Sequence, residues 1–372
     1  MNLKCCTFKE MADNIKKSNC KIVMFGVGSI GKTVAPEILN IYGISQYFDK
    51  FIDNDATKWG EMVFINGKEY EINSPKYLCK CEENTTVFIN ISRFADALEQ
   101  LEKMKCTQNM SVYIIPMMCI HNWCSDTSKG VPIITDSPLI PKVIHYMWLG
   151  GKPIPENLAK CIKSWEKYCP DYEIIQWNEN NYDISKHKYM KQAYDKKAFG
   201  FVPDYARLDI LYEYGGFYMD TDVVLKMSLD AMRYQEAFVG VEKWQVVNFG
   251  GCSGAVKGHK MIKRVLDIRQ DVYFLDESGR ENRNPSGFYD TKAILDSGYI
   301  IDGTTQCIDG MNIYAYDYFH PYDYMSGILN ETKNTRSIHY FNGGWLDARM
   351  KSQNDITRQN YMKLYKKALT IY

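Results

Sequence analysis

Short apolar runs alternate with amphipathic stretches along the first third of the chain. Lys21 to Phe25 reads KIVMF, the length and content of a buried strand. It runs straight into Gly26-Val27-Gly28-Ser29-Ile30-Gly31. A helix-like stretch follows, Lys32 to Tyr42, and then a second apolar strand at Phe51-Ile52. Thr86 to Ile91 and Ser111 to Ile115 extend the alternation. Between Asp126 and Pro141 the pattern lapses into DTSKGVPIITDSPLIP, punctuated as an inter-domain connection is. A fresh strand begins at Lys142 to Trp148. Pro155 to Tyr168 then repeats Leu158, Ile162 and Trp165 on one helical face. Tyr172 to Asn178 reads as a strand, and Asp204 to Tyr212 as a helix closed by Gly215-Gly216. Phe217 to Met219 is a short strand ending at Asp220-Thr221-Asp222. The pattern predicts an α/β protein of two units, residues 1–135 and 136–372, with no internal repeat.

Composition narrows the function classes. A chain of 372 residues fits two domains of about 150 residues. Lys+Arg and Asp+Glu are equal at 45 each, which excludes a dedicated nucleic-acid binder, because such a protein needs a phosphate-neutralising excess. The 28 tyrosines suit either a site that grips ring-shaped ligands or a Tyr-rich core. The N-terminal twenty residues lack the apolar segment of a secretion signal. The longest apolar run, Val112 to Ile120, is far below the roughly 20 residues that span a bilayer. A cytoplasmic protein is expected, with peripheral association at the inner membrane left open. The 12 cysteines form no C-x-x-C pair, and free thiols are expected. Cys119, His121 and Cys124 lack the fourth ligand of a structural zinc site, so no metal is expected there.

Two constellations carry candidate chemistry. In the first, Gly26, Gly28 and Gly31 follow a strand, and Asp53 ends the next strand about twenty residues on, as in a Rossmann βαβ unit. Glycines there let backbone approach a pyrophosphate, and the acid can hold a ribose. The same glycines also serve helix–strand packing alone. Nothing nearby resembles a hydride-transfer site, so NAD is not expected as a cofactor. An NAD-dependent oxidoreductase would leave the second unit's motifs unexplained. In the second constellation, Asp220 and Asp222 end a buried strand, and two carboxylates so spaced can converge on a hard divalent cation. Asp204 and Arg207 share a face of the preceding helix. A planar, permanently charged guanidinium suits phosphate oxygens, although the two side chains could simply pair with each other. A haloacid-dehalogenase-like phosphatase with Asp220 as nucleophile would also need a downstream acidic pair and a lysine, and no adjacent Asp–Asp follows Asp222.

The order IHYMWLGG, DYARLDILYEYGGFYMDTDV, SIHYFNGGW resembles the DxD-containing sugar transferases of glycosyltransferase family 32. More distantly it is similar to the glucosyltransferase domains of large clostridial toxins. The likeness spans Ile140 to Leu346. It implies a GT-A fold for the second unit, a nucleotide-sugar donor such as a UDP-sugar, a divalent Mn²⁺ or Mg²⁺, and transfer with retention. It implies a glycan or lipid-linked acceptor, in bacterial capsule, exopolysaccharide or lipopolysaccharide synthesis, with a protein acceptor as the alternative. Residue by residue, Trp148 resembles the aromatic that stacks on the donor base, and Asp204 the acid that contacts ribose or sugar hydroxyls. Arg207 resembles the arginine near the donor phosphate. Asp220 would meet metal and donor, and Asp222 and His339 the metal. Trp345 would either close over the nucleotide or pack in the core. The common pattern has Ser where this chain has Gly344, so one ligand position differs. No separate protein nucleophile stands out.

Overall fold

The structure, a computed structural model, describes residues 1–92, 94–123, 130–343 and 348–369. It is α/β throughout, as the alternation of runs predicts. The first sheet contains β1 (Asn2–Lys4), β2 (Ile22–Phe25), β3 (Phe48–Ile52), β4 (Met62–Ile65), β5 (Lys68–Asn73), β6 (Thr86–Ile89) and β7 (Ser111–Ile114). Their order is β1-β7-β6-β2-β3-β5-β4, parallel except for the β4–β5 hairpin. Every residue of the central strands β2 and β6 is buried. Continuous apolar runs such as IVMF are what strands covered on both faces require. The covering helices are α1 (Phe8–Ser18), α2 (Ser29–Lys32), α3 (Val34–Ile41), α4 (Phe94–Lys103) and α5 (Ile115–Trp123). The single helix expected over Lys32 to Tyr42 is instead α2 and α3, parted at Thr33. Pro36 explains the break. It has no N–H to continue the ladder from the turn before it, but it is tolerated in the first turn of a new helix.

The second sheet runs β15-β16-β12-β14-β10-β8-β9, with β13 hydrogen-bonded to β12. Its strands are β8 (Val143–Met147), β9 (Glu173–Trp177), β10 (Gly216–Tyr218), β12 (Ala237–Val241), β13 (Val247–Asn248), β14 (Ser253–Ala255), β15 (Gln306–Ile308) and β16 (Met311–Tyr314). Side chains alternate between two cores. Ile144, Phe217 and Phe238 join Trp165 on one face. Val239, Met311 and Ile313 join Leu208 and Leu211 on the other, in an apolar cluster continuous with the first sheet. The helices are α6 (Glu156–Tyr168), α7 (Lys188–Asp195), α8 (Pro203–Tyr214), α9 (Lys260–Arg269), α10 (Ser286–Leu295) and α11 (Tyr316–Phe319). A separate two-stranded ribbon pairs β11 (Val223–Leu225) with β17 (Ser337–His339).

The last helix, α12 (Ala348–Leu369), packs on α4 and β1 of the first sheet. Its Tyr361 ring lies 6.1 Å from Phe94, and its Tyr365 hydroxyl is 2.8 Å from Nδ1 of His121. His121 is therefore engaged with a tyrosine, while Cys124 lies outside the described residues. One cysteine expectation needs correction. Cys79 and Cys106 form a disulfide, because two short helices, at 75–80 and 105–107, pack side by side. Cys5, Cys20, Cys81, Cys161, Cys169, Cys252 and Cys307 are free thiols.

Candidate active site

The glycine turn of the first sheet is held by contacts within the protein. A Cβ on Gly31 would lie 2.2 Å from the carbonyl oxygen of Gly26, so the start of α2 presses directly on the turn after β2. Gly26 itself has φ +100°, outside the range of most side chains, whereas Gly28 has open space around it. Asp53, the candidate ribose acid, accepts from the Val27 N–H at 3.0 Å and the Asp55 N–H at 2.9 Å, and Lys58 lies 3.4 Å away. Its carboxylate fastens the turn. Helix α10, which packs against β13 of the second sheet, reaches this end of the first sheet and contacts α2. There the Lys32 ammonium sits 5.5 Å from the centre of the Phe288 ring, and burial lowers its pKa. The four residues of the fingerprint are brought together, in a geometry that packing and internal hydrogen bonds account for.

The second constellation converges more tightly. The β11–β17 register sets Val223 opposite His339, which places the imidazole beside the preceding Asp222. His339 Nε2 is 3.2 Å from Asp222 Oδ1, and the Asn342 N–H donates to Asp222 Oδ2 at 2.8 Å. Ligand atoms of Asp220, Asp222 and His339 all lie within 4.8 Å of one another, the only such group among the described residues. Burial alone would raise the Asp222 pKa, but His339 and the Asn342 N–H hold it below the ordinary carboxylate value. Burial would likewise lower His339, and Asp222 reverses the sign. The His339 ring stacks on Phe341 at 4.0 Å.

Asp220 is fixed from the other side. Arg207 Nη2 lies 3.2 Å from both of its carboxylate oxygens and 3.4 Å from Asp204. The Arg207–Asp204 contact that the helix spacing allows is thus formed, but it is buried and continues into Asp220. Burial pushes Asp204 up to about 6, with Arg207 and Arg269 opposing the rise. Asp204 lies behind the arginine as its support. Sequence reading missed the next layer. Arg207 donates to the Ser286 hydroxyl at the start of α10, and Arg269 donates to the Ser286 carbonyl and pairs with buried Asp290 at 2.6 Å. Nothing in the spacing of Arg269 and Asp290 announces this, because the pair spans two helices far from the Asp-x-Asp segment. Gly250 closes the site. Its missing Cβ would lie 2.2 Å from Asp220 Oδ2, so only glycine admits the carboxylate.

Trp148 is half-buried at the end of β8, and its Nε1 donates to the Lys152 carbonyl at 2.7 Å. Trp345 and Gly344 lie outside the described residues. Beside Asn342 opens a cleft of about 620 Å³, whose walls include Asn157, Lys160, Tyr322 and Tyr340.

Comparison with known proteins finds similarity over the segment that contains Asp204 to Asp222. The family described as glycosyltransferase sugar-binding region containing DXD motif matches residues 155–239. Inositol phosphoceramide mannosyltransferase 3 of Schizosaccharomyces pombe is 30% identical over 134 residues, 35% of this chain and 37% of that protein. Subversion of eukaryotic traffic protein A of Legionella pneumophila is 22% identical over 244 residues, 57% of this chain and 36% of that protein. The chain therefore spans little more than a third of the length of these curated relatives. Among solved structures, PaToxG glycosyltransferase aligns over 55% of this chain and 78% of its own, at 16% identity and a TM-score of 0.35. The segment that carries helix α8 and the Asp220–Asp222 pair is thus the part of the chain that matches the glycosyltransferase sugar-binding region containing a DXD motif.

Proposed function

We propose that the protein is a metal-dependent, retaining glycosyltransferase that moves a sugar from a nucleotide-sugar to a glycan or lipid-linked acceptor. In this reading residues 136–372 form a GT-A-type unit behind a Rossmann-like N-terminal unit. The observation that carries it is the convergence of Asp220, Asp222 and His339 within 4.8 Å, next to a buried arginine. Two carboxylates and one imidazole are a donor set suited to Mn²⁺ or Mg²⁺ and poor in the thiolates of structural zinc sites. A bound divalent ion there would supply charge neutralisation for a diphosphate leaving group.

The chain's own residues do the rest. Arg207, fixed by Asp204, Asp220 and Ser286, presents a preorganised positive charge where a departing diphosphate gains negative charge, a contact commonly worth about 3–4 kcal/mol. Trp148 offers a face for the donor base, and the tyrosine-rich cleft beside Asn342 offers stacking surfaces for sugar rings. No helix among the described residues is long and apolar enough to cross a membrane. We place the enzyme in the cytoplasm, with peripheral membrane contact, building capsule, exopolysaccharide or lipopolysaccharide.

A donor screen tests the reading. Nucleotide release and transfer are measured with UDP-sugars and GDP-sugars in the presence of Mn²⁺. UDP-sugars are the first expectation, and mannose-bearing donors join the screen because one relative is named a mannosyltransferase. Release from one donor, abolished by chelation, is expected; no release from any donor overturns the proposal.

A further inference from the structure

Glu242 is a carboxylate that none of the preceding chemistry uses. It follows β12 at the start of a tight turn, where its N–H donates to the Val246 carbonyl and its carbonyl accepts from Gln245, both at 2.8 Å. The residues after it tie the turn to the rest of the protein. Lys243 donates to the Ile328 carbonyl, the Trp244 ring packs 5.1 Å from Tyr324, Gln245 is fully buried, and the Val247 N–H donates to Thr291.

The Glu242 side chain is directed toward the metal-ligand group. One oxygen accepts from Asn248 Nδ2 at 2.8 Å, and Asn248 Oδ1 accepts from the Gly250 N–H at 2.8 Å. That same Gly250 is the residue whose missing Cβ makes room for Asp220. Glu242 and Asp220 are therefore linked through Asn248 and Gly250. His339 and Asp323 are near enough to act on Glu242 electrostatically. No Lys or Arg forms an ion pair with it among the described residues, and it falls outside the group whose atoms could share one ion. A half-buried carboxylate beside other acids, satisfied by one neutral amide, is costly to the fold unless a ligand uses it.

We propose that Glu242, held by Asn248, binds the sugar being transferred by accepting hydrogen bonds from its ring hydroxyls. This deepens the glycosyltransferase reading and rests on it. A carboxylate accepts from two hydroxyls at once, whereas the nucleotide portion lies with Arg207 and the Asp pair. Hydrogen bonds to a charged acceptor are the strong ones, so losing them should weaken sugar recognition by roughly ten- to a hundred-fold.

Glu242→Gln and Glu242→Ala in the full chain separate the possibilities. Binding of UDP and GDP, then of UDP-glucose and GDP-mannose, is measured by calorimetry with Mn²⁺, alongside kcat and KM. Supporting results are unchanged nucleoside-diphosphate binding together with a fall in kcat/KM of that size and loss of discrimination among sugars. The Gln variant keeps an acceptor for Asn248 and guards against misfolding of the Ala variant. Unchanged sugar recognition, or a parallel loss of nucleoside-diphosphate binding, overturns the assignment while leaving the transferase reading standing. Failure of wild type to bind any of the four overturns that reading itself.

Discussion

Asp220 and Asp222 are separated by one residue in sequence but are held by different means, and substitutions should separate them. Asp222 is restrained by His339 and a backbone N–H, and Asp220 by a buried arginine. Asp222→Asn should remove most transfer activity and keep the circular dichroism of wild type, because the change is isosteric. His339→Ala should be milder, since water can replace one neutral ligand. Calorimetric donor binding with and without Mn²⁺ checks both; equal Mn²⁺ dependence in wild type and Asp222→Asn would show that the pair is not the metal site. Arg207→Ala is a poorer probe. It strands Asp204 in the interior, and removing one partner of a buried ion pair typically costs 3–5 kcal/mol, about enough to unfold a marginal domain. Glu242 yields a prediction about pH. Burial pushes its carboxyl from 4.5 up to about 7, so the folded protein binds the proton more tightly than the unfolded chain. Stability from this group is full below the unfolded value and is lost as pH rises through that window. Glu242→Gln removes the loss, so urea midpoints at pH 4.5 and pH 8 should show the variant gaining on wild type as pH rises.

At the level of elements, the strands and helices that frame Asp220 and Asp222 were legible because their patterns are long or strongly punctuated. The helix ending at Gly215 is found at Pro203–Tyr214, and the amphipathic run through Trp165 at Glu156–Tyr168. The ribbon of β11 and β17 was not legible. Its strands have three residues each, too few for a period, and its meaning lies in a register across more than a hundred residues. The resemblance pointed to His339; only the pairing explains why it arrives beside Asp222. Glu242 and Asn248 were hidden for a similar reason, since a hairpin turn rather than a spacing rule joins them. Two glycines give element-scale tests. Gly31→Ala drives a Cβ into backbone at Gly26 and should destabilise the first unit by about 1–3 kcal/mol, read from denaturant unfolding. Gly250→Ala should abolish turnover and also lower the melting temperature, because the Cβ pushes on an Asp220 carboxylate that buried Arg207 holds in place.

On the scale of the whole molecule, α10 is the shared part. Its first residue holds Arg207, and the helix also rests on α2 of the first sheet. NAD should therefore neither shift the melting temperature nor stimulate transfer, since the turn it would need is already fastened by Asp53 and flanked by α10. Thermal shift and activity with added NAD check this, and stimulation by NAD would restore the dinucleotide reading. The return of α12 to α4 and β1 has a further consequence, for the order in which the protein is made. The ribosome releases the first sheet early, yet one of its covering layers, α12, is encoded only after the whole of the second sheet. Until Tyr361 and Tyr365 reach Phe94 and His121, the nascent first unit carries an uncovered apolar face. Its maturation is then tied to synthesis of the second sheet that lies between, so that a polypeptide arrested there is exposed to chaperones and proteases rather than left as a stable fragment.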